Sequence, residues 1–400
     1  MKPLWDPFDS VNRVNPYPMY HRMRAESPIH RSQTGDHVLT RYQDIKSVLQ
    51  STDDFRAGNR LEWMRRQVTY LENKSEDFTA ITDAMNSFIV MMNPPEHTQL
   101  RSILVQAWNN HDVDQIMIQN IDQLLSNPGR SFDLARDFAE PLPAMTMTRI
   151  MGMPFEDYNF LKTVATGMLR SLDMYATFKS LVLIDKSAKD FMGYLNAYLD
   201  YREKNLGADL VSRIILTYRE RGVAVSRKQL LSICIFMFMA GEETTVNLIG
   251  TSLYALSQHP DQLKAVLDNP EWLDSTLEEA LRFESPVQLL GRIANRDLEF
   301  NGYRFKKEDT VTLSLGAANH DPEIFNDPDQ FNLHRPNAKQ HLAFGAGVHF
   351  CLGSWLARKQ WKLAVGEFLK RFPDFKVNRQ PSWTTMLSVR GLTSLPVTLY

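Results

Sequence analysis

The sequence predicts a mainly α chain with minor β, and three observations carry that expectation. Apolar residues recur at spacings of three and four through most of residues 98–257, the pattern of helices that bury one face. Residues 230–240 are apolar nearly all round, as expected of a helix through the middle of a large core. After Pro286 the pattern changes to short alternating segments broken by Asn, Asp, Gly and Pro, which suits strands and tight turns.

In chain order, residues 16–26 read as a short helix, 28–31 and 37–40 as two small strands around Gly35-Asp36, and 44–50 as a helix opened by Asp44. Residues 56–92 are irregular and polar, with Arg60, Trp63, Arg65, Arg66 and Tyr70 intermixed, and a connection that long points to function. Asn93-Pro94-Pro95-Glu96-His97 reads as a helix start, its prolines sitting where a missing N–H costs nothing. Helices are expected over 98–125, 142–150, 156–172, 177–203, 209–220 and 227–257. Residues 292–304 alternate like a strand pair around Asn301-Gly302, and 310–315 read as a further strand. Residues 317–336 read as loop, 352–372 as a last long helix, and 375–400 as short strands. No repeat, low-complexity run or Gly/Ser linker divides the chain, so one domain over residues 1–400 is expected.

Composition narrows the function classes. Forty-five Lys and Arg against 47 Asp and Glu leave a net charge of −2, which gives no electrostatic footprint for nucleic acid. Two cysteines cannot form a disulfide framework, and an exposed thiolate ligand favours a reducing compartment. Trp5, Asp6, Pro7 and Asp9 stand where a signal peptide would be basic and then apolar. No run reaches ~18 uninterrupted apolar residues, the length of a membrane span. A cytoplasmic protein without membrane anchor is the expectation.

The chemistry centres on His-Leu-Ala-Phe-Gly-Ala-Gly-Val-His-Phe-Cys-Leu-Gly, residues 341–353. Gly345, Gly347 and Gly353 permit sharp turns and close approach of backbone to a ligand, and Cys351 is presented from the loop they make. Such a thiolate can be a nucleophile, a zinc ligand or an axial ligand of haem iron. His341 and His349 lie near it in sequence, but zinc would want a second close cysteine, and spacing alone shows neither a base nor an oxyanion hole.

Phe344, Gly347, Cys351 and Gly353 stand in the F-x-x-G-x-x-x-C-x-G pattern, and the loop resembles the haem-binding loop of the cytochrome P450 family. Two further stretches agree. Ala240-Gly241-Glu242-Glu243-Thr244 resembles that family's oxygen-activation motif, which makes Glu243 the acid and Thr244 the alcohol of a proton relay. By the residues alone it is equally a distorted helix lining a site, its ladder opened by Gly241 and the threonines, or a break between two helices. Glu279-Ala-Leu-Arg282 places acid and base on one helical face, although Glu278 can pair with Arg282 at i, i+4 as well. With Arg335 it resembles the family's buried Glu-Arg-Arg cluster.

The resemblance implies the triangular cytochrome P450 fold, a haem b cofactor with Cys351 on the iron, and O2 as co-substrate. Phe344, Gly345 and Ala240 would line the haem, and His97, Arg101, Arg292 and His349 match propionate partners. Val287, Leu289 and Leu290, with residues 56–92 and 168–185, would shape the substrate pocket. Arg358, Lys359, Lys362 and Lys370 read first as a solvated face, and by resemblance as a docking patch for a ferredoxin or flavodoxin served by an NAD(P)H-dependent reductase. Cys234, inside an apolar run, reads as an inert small hydrophobe.

The expected activity is a monooxygenase that places one oxygen of O2 into a C–H bond of a small molecule, by hydroxylation or oxidative O-dealkylation. A peroxide-driven peroxygenase or haem-thiolate isomerase is the enzymatic alternative, and a haem-binding sensor the non-enzymatic one. Glu243 and Thr244 weigh against both, since neither has use for an acid and alcohol pair.

Overall fold

The computed structural model describes residues 3–33, 35–58, 79–85, 87–108, 113–129, 131–173 and 178–400. The chain condenses into two units, each assembled from separated stretches: residues 1–58, 121–140 and 244–400 in the first, 59–120 and 141–243 in the second. Most of the expected helices and strands are present within a residue or two of their expected ends.

The first unit holds the strands. Its largest sheet runs in the order Ile29–Arg31, His37–Leu39, Thr310–Ser314, Leu289–Ala294, Phe55–Arg56. Only the pair of His37–Leu39 with Thr310–Ser314 is parallel; the other neighbours are antiparallel. Val48 and Leu49 of the helix Tyr42–Gln50 pack with Phe55, Ala294, Val311, Leu313 and Phe325 in one buried cluster. The strand pair expected over 292–304 divides differently. Leu298–Phe300 and Tyr303–Phe305 form the hairpin, while the residues before it belong to the large sheet. Asn301 (φ 49°) and Gly302 (φ 76°) supply the two positive φ values that a two-residue hairpin turn requires.

The helix Ser354–Arg371 buries one stripe, with Trp361, Ala364, Val365 and Phe368 inaccessible to solvent. The Trp361 indole N–H donates to Ser252 Oγ at 2.7 Å, so the one polar atom of a large core side chain is satisfied.

The second unit is helical among its described residues. Phe178–Arg202 packs along Tyr158–Leu169 and Thr79–Met85, and Ile81 N–H is capped by the Asp185 carboxylate at 3.0 Å. Glu96–Trp108 packs on Leu210–Glu220. Arg221, just past that helix, donates to Gln106 and Ser102 and so ties the pair together. The helix expected over 98–125 is two, Glu96–Trp108 and Asp114–Leu125. Most of the polar stretch 56–92 lies outside the described residues, and its described part contains the helix Thr79–Met85 and a turn at Ile89–Met91.

Two helices belong to both units: Asp114–Leu125, divided between Asn120 and Ile121, and Arg227–Gln258, divided between Glu243 and Thr244. The second is the longer. Its 32 residues run unbroken through Gly241 and the threonines, so the expected opening of the ladder does not occur. Gly241 has a packing reason instead: a Cβ there would meet Met147 Sδ at 2.9 Å. This is the one helix among the described residues long and apolar enough to cross a membrane, and 72% of its most apolar window is buried in the protein, as in a core helix.

Trp361→Ala is expected to cost about 3–5 kcal/mol, from lost burial and the cavity left behind. Denaturant unfolding followed by circular dichroism checks it, and a loss under 1 kcal/mol would contradict this packing.

Candidate active site

Cys351 lies at the end of a backbone loop closed on itself. Its N–H donates to the Phe344 carbonyl at 2.9 Å, Gly345 N–H to Leu342 O at 2.8 Å, and Phe350 N–H to Gly347 O at 3.0 Å. Gly345 and Gly347 both adopt φ +69°, which L side chains rarely tolerate. A Cβ on Gly347 would also stand 2.4 Å from the Leu49 carbonyl oxygen, a backbone atom that cannot swing aside. The thiol so presented is outside any disulfide and half-buried.

Behind the loop is the expected cluster of Glu279, Arg282 and Arg335, the first two inaccessible to solvent and the third nearly so. Glu279 accepts from Arg282 Nε (2.8 Å) and Nη2 (2.7 Å), from Arg335 Nε (3.0 Å) and from the Asn332 N–H (2.9 Å). The guanidinium groups spend their remaining donors on carbonyls. Arg282 reaches Asn319 and Pro328 at 2.8 Å, and Arg335 reaches Gln330 at 3.0 Å.

Glu278 does not take Arg282, the alternative its i, i+4 spacing allowed. It accepts from Arg358 Nε at 2.7 Å and bonds His341 Nε2 at 3.1 Å. Burial alone would raise its pKa, but the hydrogen bonds and charges of His341 and Arg358 outweigh that and hold the carboxyl at about 2. Sequence reasoning missed this group. The signal was present in the acid immediately before Glu279 and the histidine that opens the cysteine loop.

Among the cations assigned from sequence, Arg292 is the most informative. It lies on the strand Leu289–Ala294, 6% exposed, and burial lowers its pKa to about 10. Among the described residues the one hydrogen bond of its guanidinium goes to the neighbouring carbonyl, Gly291 O, at 2.8 Å, and no carboxylate there neutralises it. A buried guanidinium without a counter-ion is stabilised by a bound anion. His349 ends the turn Gly347–His349, half-buried, two residues before the cysteine. Together with Phe344 and Gly345, these residues give the first unit a thiol, a glycine cradle and a buried cation. Such a donor set fits a haem that carries anionic side groups.

The other assigned residues lie in the second unit or on the shared helix. His97 and Arg101 are one turn apart on Glu96–Trp108, the first buried and the second half-buried. Burial, then the Arg101 charge, lower the His97 pKa. On Arg227–Gln258, Ala240, Glu243 and Thr244 are partly accessible while Glu242 and Thr245 are buried. Of the two adjacent glutamates, the one assigned to the relay is therefore the one solvent can reach. Cys234 is fully buried, and burial raises its thiol pKa to about 12, which leaves it inert.

The basic residues after the cysteine are largely occupied. Arg358 serves Glu278, Lys362 pairs with Asp274 at 2.8 Å, and Lys370 with Glu367 at 3.7 Å. Beside them Val348, Phe350 and Trp355 are exposed apolar side chains that flank Cys351 in sequence. Of the expected pocket wall, Val287 and Leu290 are half-buried and Leu289 is buried.

Known proteins resemble this chain along nearly its whole length. A family profile described as Cytochrome P450 matches residues 28–397. The chain is 31% identical to polyketide biosynthesis cytochrome P450 PksS of Bacillus subtilis, over 100% of this chain and 99% of that one. It is 32% identical to the biotin biosynthesis cytochrome P450 of the same organism, with 96% of both chains covered. Among solved structures, P450BioI in complex with an acyl carrier protein ligated to hexadec-9Z-enoic acid superposes with TM-score 0.89 at 30% identity, covering 98% of this chain and 99% of that one.

Two outcomes are expected. Gly347→Ala should lower stability by about 2 kcal/mol or more, through a disfavoured φ and the Leu49 carbonyl, seen as a fall in Tm. Glu278, depressed from its ordinary 4.5 to about 2, contributes stability that is fully present above pH 4.5 and is lost as pH falls through 2. The difference in unfolding free energy between the parent protein and Glu278→Gln should thus shrink progressively from pH 5 to pH 2. A difference independent of pH would contradict the assignment.

Proposed function

The chain belongs to the cytochrome P450 family, and from that premise we propose that it is a monooxygenase that uses haem b, with Cys351 as the thiolate ligand of the iron, to oxidise a C–H bond of a small organic molecule. Its class is that of an oxidoreductase. When bound, the haem supplies reductive activation of O2 and transfer of one oxygen atom to the substrate. The observation that carries the reading is Cys351, its N–H fixed to the Phe344 carbonyl in a loop whose glycines exclude side chains, in the same unit as the buried cation Arg292.

The residues divide the work. The loop presents the Cys351 sulfur, and the Cys351 N–H is committed to the Phe344 carbonyl. Arg292 and His349 receive propionates, and His97 and Arg101 are assigned to the same task by family position. Glu243 holds and releases a proton, and the Thr244 hydroxyl passes it on as donor and acceptor in one group. Phe344, Gly345 and Ala240 provide surface for the macrocycle. The whole chain, residues 1–400, is proposed to act as one catalytic domain.

Electrons come from a ferredoxin or flavodoxin with its NAD(P)H-dependent reductase, received on the surface formed by Val348, Phe350 and Trp355 with Lys359 and Lys362. The exposed Lys362–Asp274 pair is worth at most about 1 kcal/mol and yields readily to a partner's carboxylate. The reducing compartment that such partners and two cysteines outside any disulfide need is the cytoplasm. Relatives named for polyketide and biotin biosynthesis, and a solved relative bound to an acyl carrier protein, favour an extended acyl or polyketide chain as the substrate class, hydroxylated or O-dealkylated.

Cys351→Ala is expected to abolish the ferrous–carbonyl spectrum of a thiolate-ligated haem; its persistence would refute the ligand. Thr244→Ala should keep consuming NAD(P)H while product falls about a hundredfold, the scale of a lost proton relay. Unaltered product yield would remove Thr244 and return the peroxide-driven alternative. Neutralising Lys359 and Lys362 to Gln should slow reduction by ferredoxin and flatten its dependence on salt, measured by stopped flow.

A further inference from the structure

Glu278 is a buried carboxylate that the oxygen chemistry does not use and the Glu279 cluster does not need. Its two partners stand on either side of Cys351 in the chain. His341 opens the cysteine loop, and its Nδ1 accepts from the Ala343 N–H at 3.1 Å. That acceptor role fixes the tautomer, so Nε2 carries the proton and donates to Glu278 Oε2 at 3.1 Å. Arg358 lies on the helix that follows the cysteine and donates to Glu278 through Nε at 2.7 Å and Nη2 at 3.1 Å, a two-pronged grip.

The same guanidinium lies 4.5 Å from the centre of the Phe344 ring. Phe344 is the residue whose carbonyl receives the Cys351 N–H, and its ring meets that of His341 at 5.7 Å. One acid on the helix Leu273–Phe283 therefore fixes the chain before the loop and the helix after it, and lays a cation on the aromatic ring between them. Glu279, its neighbour in sequence, addresses a different set of groups.

We propose that Glu278 is a positioning residue for the thiolate ligand, acting through His341 and Arg358 to hold Phe344, and through the Phe344 carbonyl to hold Cys351 in register for iron. The inference rests on the reading of Cys351 as the iron ligand. It assigns to the Glu278, His341, Arg358 and Phe344 group the mechanical stiffness of the loop. A merely structural ion pair would raise the melting temperature and leave the state of the sulfur alone.

The test uses the haem-loaded protein with Glu278→Gln, Arg358→Ala and Arg358→Lys. Each is reduced under carbon monoxide, and the rate at which the thiolate-type spectrum converts to the non-thiolate form is followed at one fixed temperature, with reduction potential and far-ultraviolet circular dichroism measured alongside. Glu278→Gln and Arg358→Ala are expected to keep the native dichroism yet convert about tenfold faster, since a broken buried pair lowers the cost of local opening. Arg358→Lys, which keeps charge but loses the fork and the stacking plane, should recover part of that rate. If Glu278→Gln does not fold, Arg358→Ala decides alone, because its side chain is one-third exposed and tolerates truncation. Conversion at the parent rate with an unchanged potential in every folded variant would overturn the positioning role and leave thiolate ligation standing. A parent protein without the thiolate spectrum would overturn both.

Discussion

The constraint on which the first unit depends is the burial of one negative charge. Glu279 is sealed from solvent, and an isolated carboxylate there would cost several kcal/mol. It is retained because Arg282, Arg335 and the Asn332 N–H surround it, and because both guanidinium groups are themselves anchored to backbone carbonyls. The arrangement converts an irregular stretch, rich in Asp, Asn and Pro, into a fixed wall behind the cysteine loop. Residues 319–335 have little regular structure of their own; the charges supply the order that hydrogen-bonded strands would supply elsewhere.

Much of this was legible in the sequence, for identifiable reasons. Helices with one apolar stripe announce themselves by period, and Trp361, Ala364, Val365 and Phe368 are buried as that period requires. Asn301-Gly302 specified its turn because few other pairs accept two positive φ values. The Glu279 cluster followed from spacing once Arg335 was joined to it by resemblance. Less legible was anything decided by tertiary contact. The unbroken helix at Gly241 could not be foreseen, because the reason for that glycine is Met147, on another helix. Nor could the division of residues 289–305 between two sheets, since alternation gives a strand its faces but not its neighbours.

The paired acids at 278 and 279 show the same limit at the scale of one residue. In sequence both face an arginine at helical spacing, and nothing in the spacing separates them. In the structure the side chains diverge, one toward Arg282 and Arg335, the other toward His341 and Arg358. Glu242 and Glu243 repeat the lesson, one buried and one accessible. Neighbouring identical residues on a helix point about 100° apart, and that rotation suffices to give them unrelated surroundings.

The contact between Gly347 and the Leu49 carbonyl has a bearing on how the protein comes into being. A ribosome delivers the helix Tyr42–Gln50 well before the cysteine loop, and the strand His37–Leu39 waits for Thr310–Ser314 before its parallel pairing can form. Contacts so remote along the chain make closure slow and late. The seat of Cys351 is therefore finished only when both segments have been made, and until then the apolar face of Tyr42–Gln50 stays open to chaperones and proteases.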